Sequence, residues 1–226
     1  LKCVAYVVSC VLKSGQYMQN FREVKSMPVF KKGDRSVIKN YRPISIAPTL
    51  CNVVEKIICI QIYNFWEKEN FLHKNQFGFR KHHSVGLLIN SVKKFIKKHN
   101  KKYCSIILTD LSNAFGSCDT HIILKRLAPY CDITALNVLK SFLIQGSIKV
   151  VLNDEISKPF DTAPRGYPQG SNLSCYLFTV LMTMSHNFSG NSDAYSFADD
   201  DQIITVSNNL EDLKTLSQNS LTKFSN

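Results

Sequence analysis

Eight cysteines are present, yet no two of them stand at the C-x-x-C spacing. That removes the common paired-thiol zinc and redox motifs. Cys3, Cys10, Cys51, Cys59, Cys104, Cys118, Cys131 and Cys175 lie mostly among apolar neighbours, so they read as reduced, buried thiols of an intracellular protein of cytoplasm or nucleus. No apolar run reaches membrane length: Cys3 to Leu12 is too short to span a bilayer, and no small-residue cleavage site follows it. His82 and His83 lack a carboxylate or cysteine at metal spacing and are expected at the surface. Trp66 is the only tryptophan, and its place in an apolar helix predicts packing rather than base stacking. Acids are scarce, 17 against 28 Lys and Arg, for a net charge of +11 and a pI near 9.3. Such an excess calls for a polyanionic partner, although charge alone does not separate nucleic acid from an anionic membrane. The first residue is Leu rather than Met, which reads as a domain cut from something longer.

With 226 residues, 44% of them hydrophobic, the chain can bury a real core, and one unit of two lobes fits its length. Its centre of interest is Ser196-Phe197-Ala198-Asp199-Asp200-Asp201, with alternating Tyr195 and Phe197 before it and Ile203-Ile204-Thr205-Val206 after. Two strands meeting at a turn of aspartates are expected. Three carboxylates on one turn repel, so they need either full solvation or a divalent cation such as Mg²⁺. A second carboxylate in a similar setting is Asp110, at the end of the apolar run 103–109. Two such strand ends, brought together, suit a pair of metal ions about 3.5–4 Å apart, the arrangement of polymerase chemistry.

Six blocks then carry a resemblance: Met27-Pro28-Val29-Phe30-Lys31-Lys32-Gly33-Asp34, Asn40-Tyr41-Arg42-Pro43-Ile44-Ser45, Asn75-Gln76-Phe77-Gly78-Phe79-Arg80-Lys81, Asp110-Leu111-Ser112-Asn113-Ala114-Phe115, Gly166-Tyr167-Pro168-Gln169-Gly170-Ser171 and Phe197-Ala198-Asp199-Asp200. In this order they resemble the reverse transcriptase domain of non-LTR, LINE-class, jockey-like retrotransposons. The resemblance implies an α+β right-hand polymerase core. Its fingers lobe would fall at 1–100 and its palm at 101–226, the palm being antiparallel strands backed by helices, with the thumb and a further strand absent after the last helix. It implies an RNA-directed DNA polymerase that extends a primer 3′-hydroxyl on an RNA template, using deoxynucleoside triphosphates and two Mg²⁺ ions, Mn²⁺ being able to replace them. Asp110, Asp199 and Asp200 become catalytic residues and metal ligands, with the Leu111 carbonyl as a further ligand. Lys31, Lys32, Arg35 and Arg42 grip the triphosphate, Phe115 screens the sugar, and Gln169 and Gly170 line the base pocket. Phe77, Gly78, Phe79, Arg80 and Lys81 follow the template. Asp201 is expected to be solvated. No membrane partner is implied, and the oligomeric state is open.

Elsewhere, helical spacing predicts a helix or two within residues 1–25, helices over 47–70, 87–102 and 173–184, two more across 122–143, and a last one from Leu210. Residues 147–152 read as a strand running into an Asn153-Asp154 turn. Lys93, Lys94, Lys97, Lys98, Lys101 and Lys102 form an outward cationic face, either solvated or a phosphate contact. Three positions depart from the resembled family: Gly116 stands where it has aspartate, Tyr167 where valine is commoner, and Asn172 follows the Gln-Gly-Ser block. These departures keep alternatives in play. One is a catalytically inactive nucleic-acid-binding remnant of the same fold. Others are an RNA-making polymerase, which Phe115 opposes, and an interaction domain whose aspartates are merely solvated.

Overall fold

The computed structural model describes residues 2–18, 23–111, 113–144, 146–161, 166, 170–183, 188 and 190–225. Its contacts form two compact units, one of Leu1–Tyr63 with Phe115–Cys175, the other of Asn64–Ala114 with Tyr176–Asn226. Each compact unit draws on two segments of chain.

In the first unit, β1 (Glu23–Phe30) and β2 (Tyr41–Ile46) form an antiparallel hairpin in which Val29 lies opposite Arg42 and Phe30 opposite Tyr41. β4 (Ser147–Leu152) runs parallel to β1, but only along Glu23–Ser26, and short β5 (Glu155–Ile156) and β6 (Phe160–Asp161) pair with β4. The outer half of the hairpin is thus a two-stranded ribbon. This explains why Pro28 and Pro43, facing one another, are tolerated: a proline removes a ladder donor, which matters least where no further strand needs it. Helices α1 (Lys2–Ser14) and α5 (Thr120–Leu127) both pack on α6 (Ile133–Ile144). The short helix α4 (Ala114–Ser117) precedes α5. Asp119 caps α5, its carboxylate accepting from the His121 and Ile122 amides.

Helix α2 (Thr49–Lys68) begins in the first unit and ends in the second, and α7 (Asn172–Met182) does likewise. On α2, Cys51, Val54, Ile58 and Cys59 are buried as the helical period predicts, and so is Glu55.

The second unit is built on the antiparallel sheet β3-β8-β7, from Tyr103–Asp110, Asp200–Ser207 and Ser192–Phe197. Central β8 is buried for most of its length because helices cover both faces. α3 (Val85–His99) packs Leu88 and Val92 against Tyr195, Ile204 and Phe77. On the other face lies α8 (Leu210–Ser225), whose Ser220 hydroxyl donates 3.0 Å to that of Ser192, itself 3.1 Å from Thr205 Oγ1. Ser84 caps α3, and Asn100 closes it in the left-handed conformation. The lysines at 93, 94, 97, 98, 101 and 102 are exposed.

Burial of the cysteines is only partly as expected. Cys51, Cys59 and Cys118 are buried, and burial pushes their thiols up to about 11, about 12 and about 12, so they are inert. Cys3, Cys10 and Cys104 are exposed. α1 turns Val8 and Val11 inward, which sends Cys3 and Cys10 to its other side, and Cys104 lies on the open flank of β3. Among the described residues, no helix is long and apolar enough to cross a membrane.

Trp66 is 1% exposed and stacks on Phe71 at 5.6 Å. Trp66→Ala should therefore lower unfolding stability by about 3–5 kcal/mol, read from the chemical denaturation midpoint.

Candidate functional site

The aspartate site is built by strand register. β3 and β8 pair so that Thr109 faces Asp201 and Asp110 faces Asp200. Directly opposed residues of an antiparallel pair have Cβ atoms roughly 4.5–5.5 Å apart. The carboxylates of Asp110 and Asp200 therefore start from neighbouring points on one sheet face, and both are exposed. Phe197 also pairs with Asp200, which leaves Ala198 and Asp199 as a two-residue hairpin loop. Ala198 has φ +60° while Asp199 stays negative, the sign pattern of a II′ turn, whose first position favours glycine. An alanine there costs of order 1–3 kcal/mol, so the surroundings must hold it. Asp199 is half-buried at the tip.

Asp201 is not solvated; it is 2% exposed. The reason is the period of the strand. β8 starts at Asp200, inside the expected turn of aspartates, and consecutive residues point to opposite faces. Asp200 takes the face of Asp110, and Asp201 takes the face covered by α8. There the Ser196 hydroxyl donates to its Oδ1, and Oδ2 has no hydrogen-bond partner among the described residues. Burial pushes its carboxyl up to about 6; the Ser196 bond pulls the other way, and Asp199 and Asp200 add repulsion.

The block 75–81 braces this turn. Phe77 N–H donates to Ser196 O at 2.8 Å and Ser196 N–H to Asn75 O at 2.9 Å, a short parallel bridge to β7. Asn75 Nδ2 holds Asp193 Oδ1 and Ala194 O, both at 2.9 Å. Gln76, fully buried, donates to Ala198 O at 3.4 Å and accepts from Gly78 N at 3.0 Å. At Gly78 a Cβ would run into the backbone of Ala198, 2.6 Å from its Cα. Phe77 is in the core with its ring edge-on to His83, whereas Phe79 is 40% exposed and Lys81 is exposed. Arg80 makes four hydrogen bonds, to both Glu67 carboxylate oxygens at 2.8 Å and to the carbonyls of His73 and Gln76 at 2.9 and 3.1 Å. Of the five residues expected along a template, Phe77, Gly78 and Arg80 thus make contacts inside the unit. His82 is exposed and His83 half-buried.

In the first unit, Lys31, Lys32, Arg35 and Arg42 are all exposed on or beside the β1–β2 loop. Hydrogen bonds order that loop: Asp34 Oδ1 accepts from Ser36 N and Oγ at 2.8 and 2.9 Å, which holds its carboxyl below the usual range. Asn40 Nδ2 donates to Asp34 O at 2.8 Å, and the Arg35 guanidinium lies 4.7 Å over the Phe30 ring. Phe115 is half-buried on α4 and Leu111 is exposed. Gly170 has φ +110° and packs on β2, where a Cβ would come 2.7 Å from Ser45 O. Gln169 lies outside the described residues, as do Ser112, Tyr167 and Pro168. Sequence reasoning missed Gln76, Glu67 and Glu55; the signal for Glu55 was an acid standing four residues from each of two apolar cysteines on the inward face of α2.

Residues 29–226 match the family model described as reverse transcriptase (RNA-dependent DNA polymerase). The chain belongs to the reverse transcriptase family. It is 30% identical over 171 residues to the probable RNA-directed DNA polymerase from transposon X-element of Drosophila melanogaster, covering 71% of this chain and 18% of the relative. To the RNA-directed DNA polymerase from mobile element jockey of the same fly it is 25% identical over 184 residues, 80% of this chain and 20% of the relative. The chain spans about a fifth of the length of the curated relatives it matches. A telomerase from Candida tropicalis, solved with a fragment of telomeric RNA, shares the fold at a TM-score of 0.64 with 12% identity, over 95% of this chain and 41% of its own. The jockey-like resemblance carried by the six blocks therefore holds, and the mixed α and β architecture is that of a reverse transcriptase.

Two measurements test the geometry of this reverse transcriptase domain. Gly78→Ala should lower unfolding stability by about 1–3 kcal/mol, because backbone rather than a flexible side chain must give way. Gly86→Ala on α3, where a Cβ meets nothing closer than 3.7 Å, should be neutral or slightly stabilising. For Asp201, the folded carboxyl titrates near 6 and an unfolded one near 3.9. Between those values the folded state holds a proton that the unfolded state has released, so wild-type stability falls as pH rises through this window and the penalty is complete above it. Asp201→Asn should accordingly gain on wild type by about 1–3 kcal/mol from pH 4 to pH 6 in chelator, and no further above pH 6. A gap independent of pH would mean that Asp201 is not a buried acid.

Proposed function

We propose that the domain copies an RNA template into DNA, extending a primer 3′-hydroxyl with deoxynucleoside triphosphates. Fingers from residues 1–100 would bring the nucleotide to a palm from 101–226. The observation that supports this reading is the pairing of Asp110 with Asp200, with Asp199 at the adjoining tip. Carboxylate oxygens are the donors Mg²⁺ and Mn²⁺ prefer. Among the described residues no three acidic, His or Cys groups are already gathered as a metal-binding cluster. The residues fit a cation that Asp110 and Asp200 hold from paired strands and that draws in Asp199, with the Leu111 carbonyl as a further donor. When bound, two such ions lower the pKa of an attacking hydroxyl and neutralise the leaving phosphate.

Each remaining group has a task suited to its chemistry. Exposed Lys31, Lys32, Arg35 and Arg42 supply positive charge to a triphosphate, Arg42 as a planar fork. Phe115 is a bulky screen against a 2′-hydroxyl, and Gly170 with Gln169 lets backbone approach the base pair. Phe79 and Lys81 face an RNA template, a flat ring for a base and a cation for a phosphate, while Phe77, Gly78 and Arg80 hold their loop in place.

The second reading, a nucleic-acid-binding remnant, draws on Gly116, which replaces an aspartate of the resembled family. One assay separates the two: template-directed deoxynucleotide addition by the protein expressed in its full reading frame. Wild type should extend the primer and Asp199→Asn should fall by at least about 10³-fold, since removing a metal ligand removes the step itself. Steep salt-dependent binding of primer-template with no extension at any Mg²⁺ concentration would favour the remnant.

A further inference from the structure

Glu55 sits in the core of the first unit, 2% exposed, on the face of α2 that also buries Cys51 and Cys59. An ionised carboxylate is strongly disfavoured there unless partners meet it. Its partners come from two other segments. The Ser171 hydroxyl donates to Oε2 at 2.7 Å, Leu173 N–H reaches the same oxygen at 3.5 Å, and the Tyr17 hydroxyl donates to Oε1 at 3.4 Å. Tyr17 N–H in turn donates to Ser141 Oγ of α6 at 2.7 Å. Ser171 is the N-cap of α7, its Oγ accepting from Ser174 N at 3.3 Å. The carboxylate therefore lies against the positive end of that helix and meets amides that have no partner within it.

Capping alone does not require this acid. Ser171 already satisfies the amide of Ser174, and solvent commonly serves the rest. What Glu55 adds is attachment: the turn before α7 is tied to α2, to the residues after α1 and to α6. Gly170, the residue before Ser171, is held from its other side by the close approach of Ser45 O on β2. We infer that Glu55 is a positioning residue for the nucleotide pocket, fixing the Gly170–Ser171 turn against β2 so that the incoming nucleotide meets a rigid backbone. This rests on the polymerase reading above, which gives Gly170 its place beside the nucleotide.

The test uses the full reading frame and two readouts, single-nucleotide extension kinetics and amide exchange at residues 170–174. Glu55→Ala should raise the KM for deoxynucleotide about tenfold or more while primer-template affinity stays within about twofold, and the amides of 170–174 should lose protection. Glu55→Gln keeps an acceptor for Ser171 and should fall between, and Ser171→Ala should reproduce part of the defect. These two carry the test if Glu55→Ala does not fold. Ile123→Ala, a core change on α5, should lower Tm without moving KM. Loss of stability with KM unchanged, or unchanged protection at 170–174, would overturn the inference. A wild type that extends while the Glu55 variants keep its KM defeats this inference alone; a wild type that never extends defeats it together with the polymerase reading.

Discussion

The register of β3 against β8 is the constraint on which the aspartate site depends. Side chains alternate along a strand, so a slip of one residue would part Asp110 from Asp200 and, in one direction, turn it to the face under α8 opposite buried Asp201. The slip is opposed by burial on both sides of β8. Ile204 faces the α3 side with Tyr195, and Ile203 faces the α8 side, so moving either would expose apolar surface worth about 1.5–3 kcal/mol per side chain. Hydrophobic packing thus fixes the place of three charges that repel one another.

Repulsion and an unfavourable backbone meet at Ala198 and Asp199, and the second unit answers with a brace rather than with bulk. Asn75 and Gln76 are buried amides that bond to Ala194, Asp193 and Ala198, and Gly78 is small because the turn occupies the room a side chain would need. Arg80 then fastens the brace to Glu67 by a planar two-point contact, a fit that lysine does not reproduce. The block thus supports the site from behind, through backbone and buried amides, as well as presenting Phe79 and Lys81 at the surface.

Much of this was legible in the sequence because it follows from period and punctuation. The strand ending at Asp110, the hairpin at 197–200, the β1–β2 ribbon and the helices from 49, 85, 172 and 210 all announce themselves through alternation or helical spacing. What escaped was set by which neighbour a residue meets. Asp199, Asp200 and Asp201 are identical letters, yet one is at a tip, one faces Asp110 and one is buried, a division that depends on where β8 begins. Phe77 and Phe79 flank one glycine and end in opposite environments because residues 75–77 dock on β7. Glu55 shows in sequence only as an acid in the inward register of α2; its partners, 38 and 116 residues away, do not show at all.

The two acids inside also bear on what the outside presents. Glu55 and Asp201 belong to the 17 acids counted in the net charge of +11, but both are withdrawn from solvent, so the surface is more cationic than the composition states. The excess is not evenly spread. Residues 85–102 contain six lysines and no acid, and among the described residues none of those lysines makes an ion pair. Lysines left uncompensated on one helix repel each other, at a cost of a few tenths of a kcal/mol for each pair one turn apart. A chain meeting a polyanion recovers that cost and gains by releasing condensed counterions as well, an attraction that is blind to sequence and falls steeply with salt. The placement of acids inside and lysines outside therefore sharpens the attraction to a polyanion beyond what the net charge alone gives.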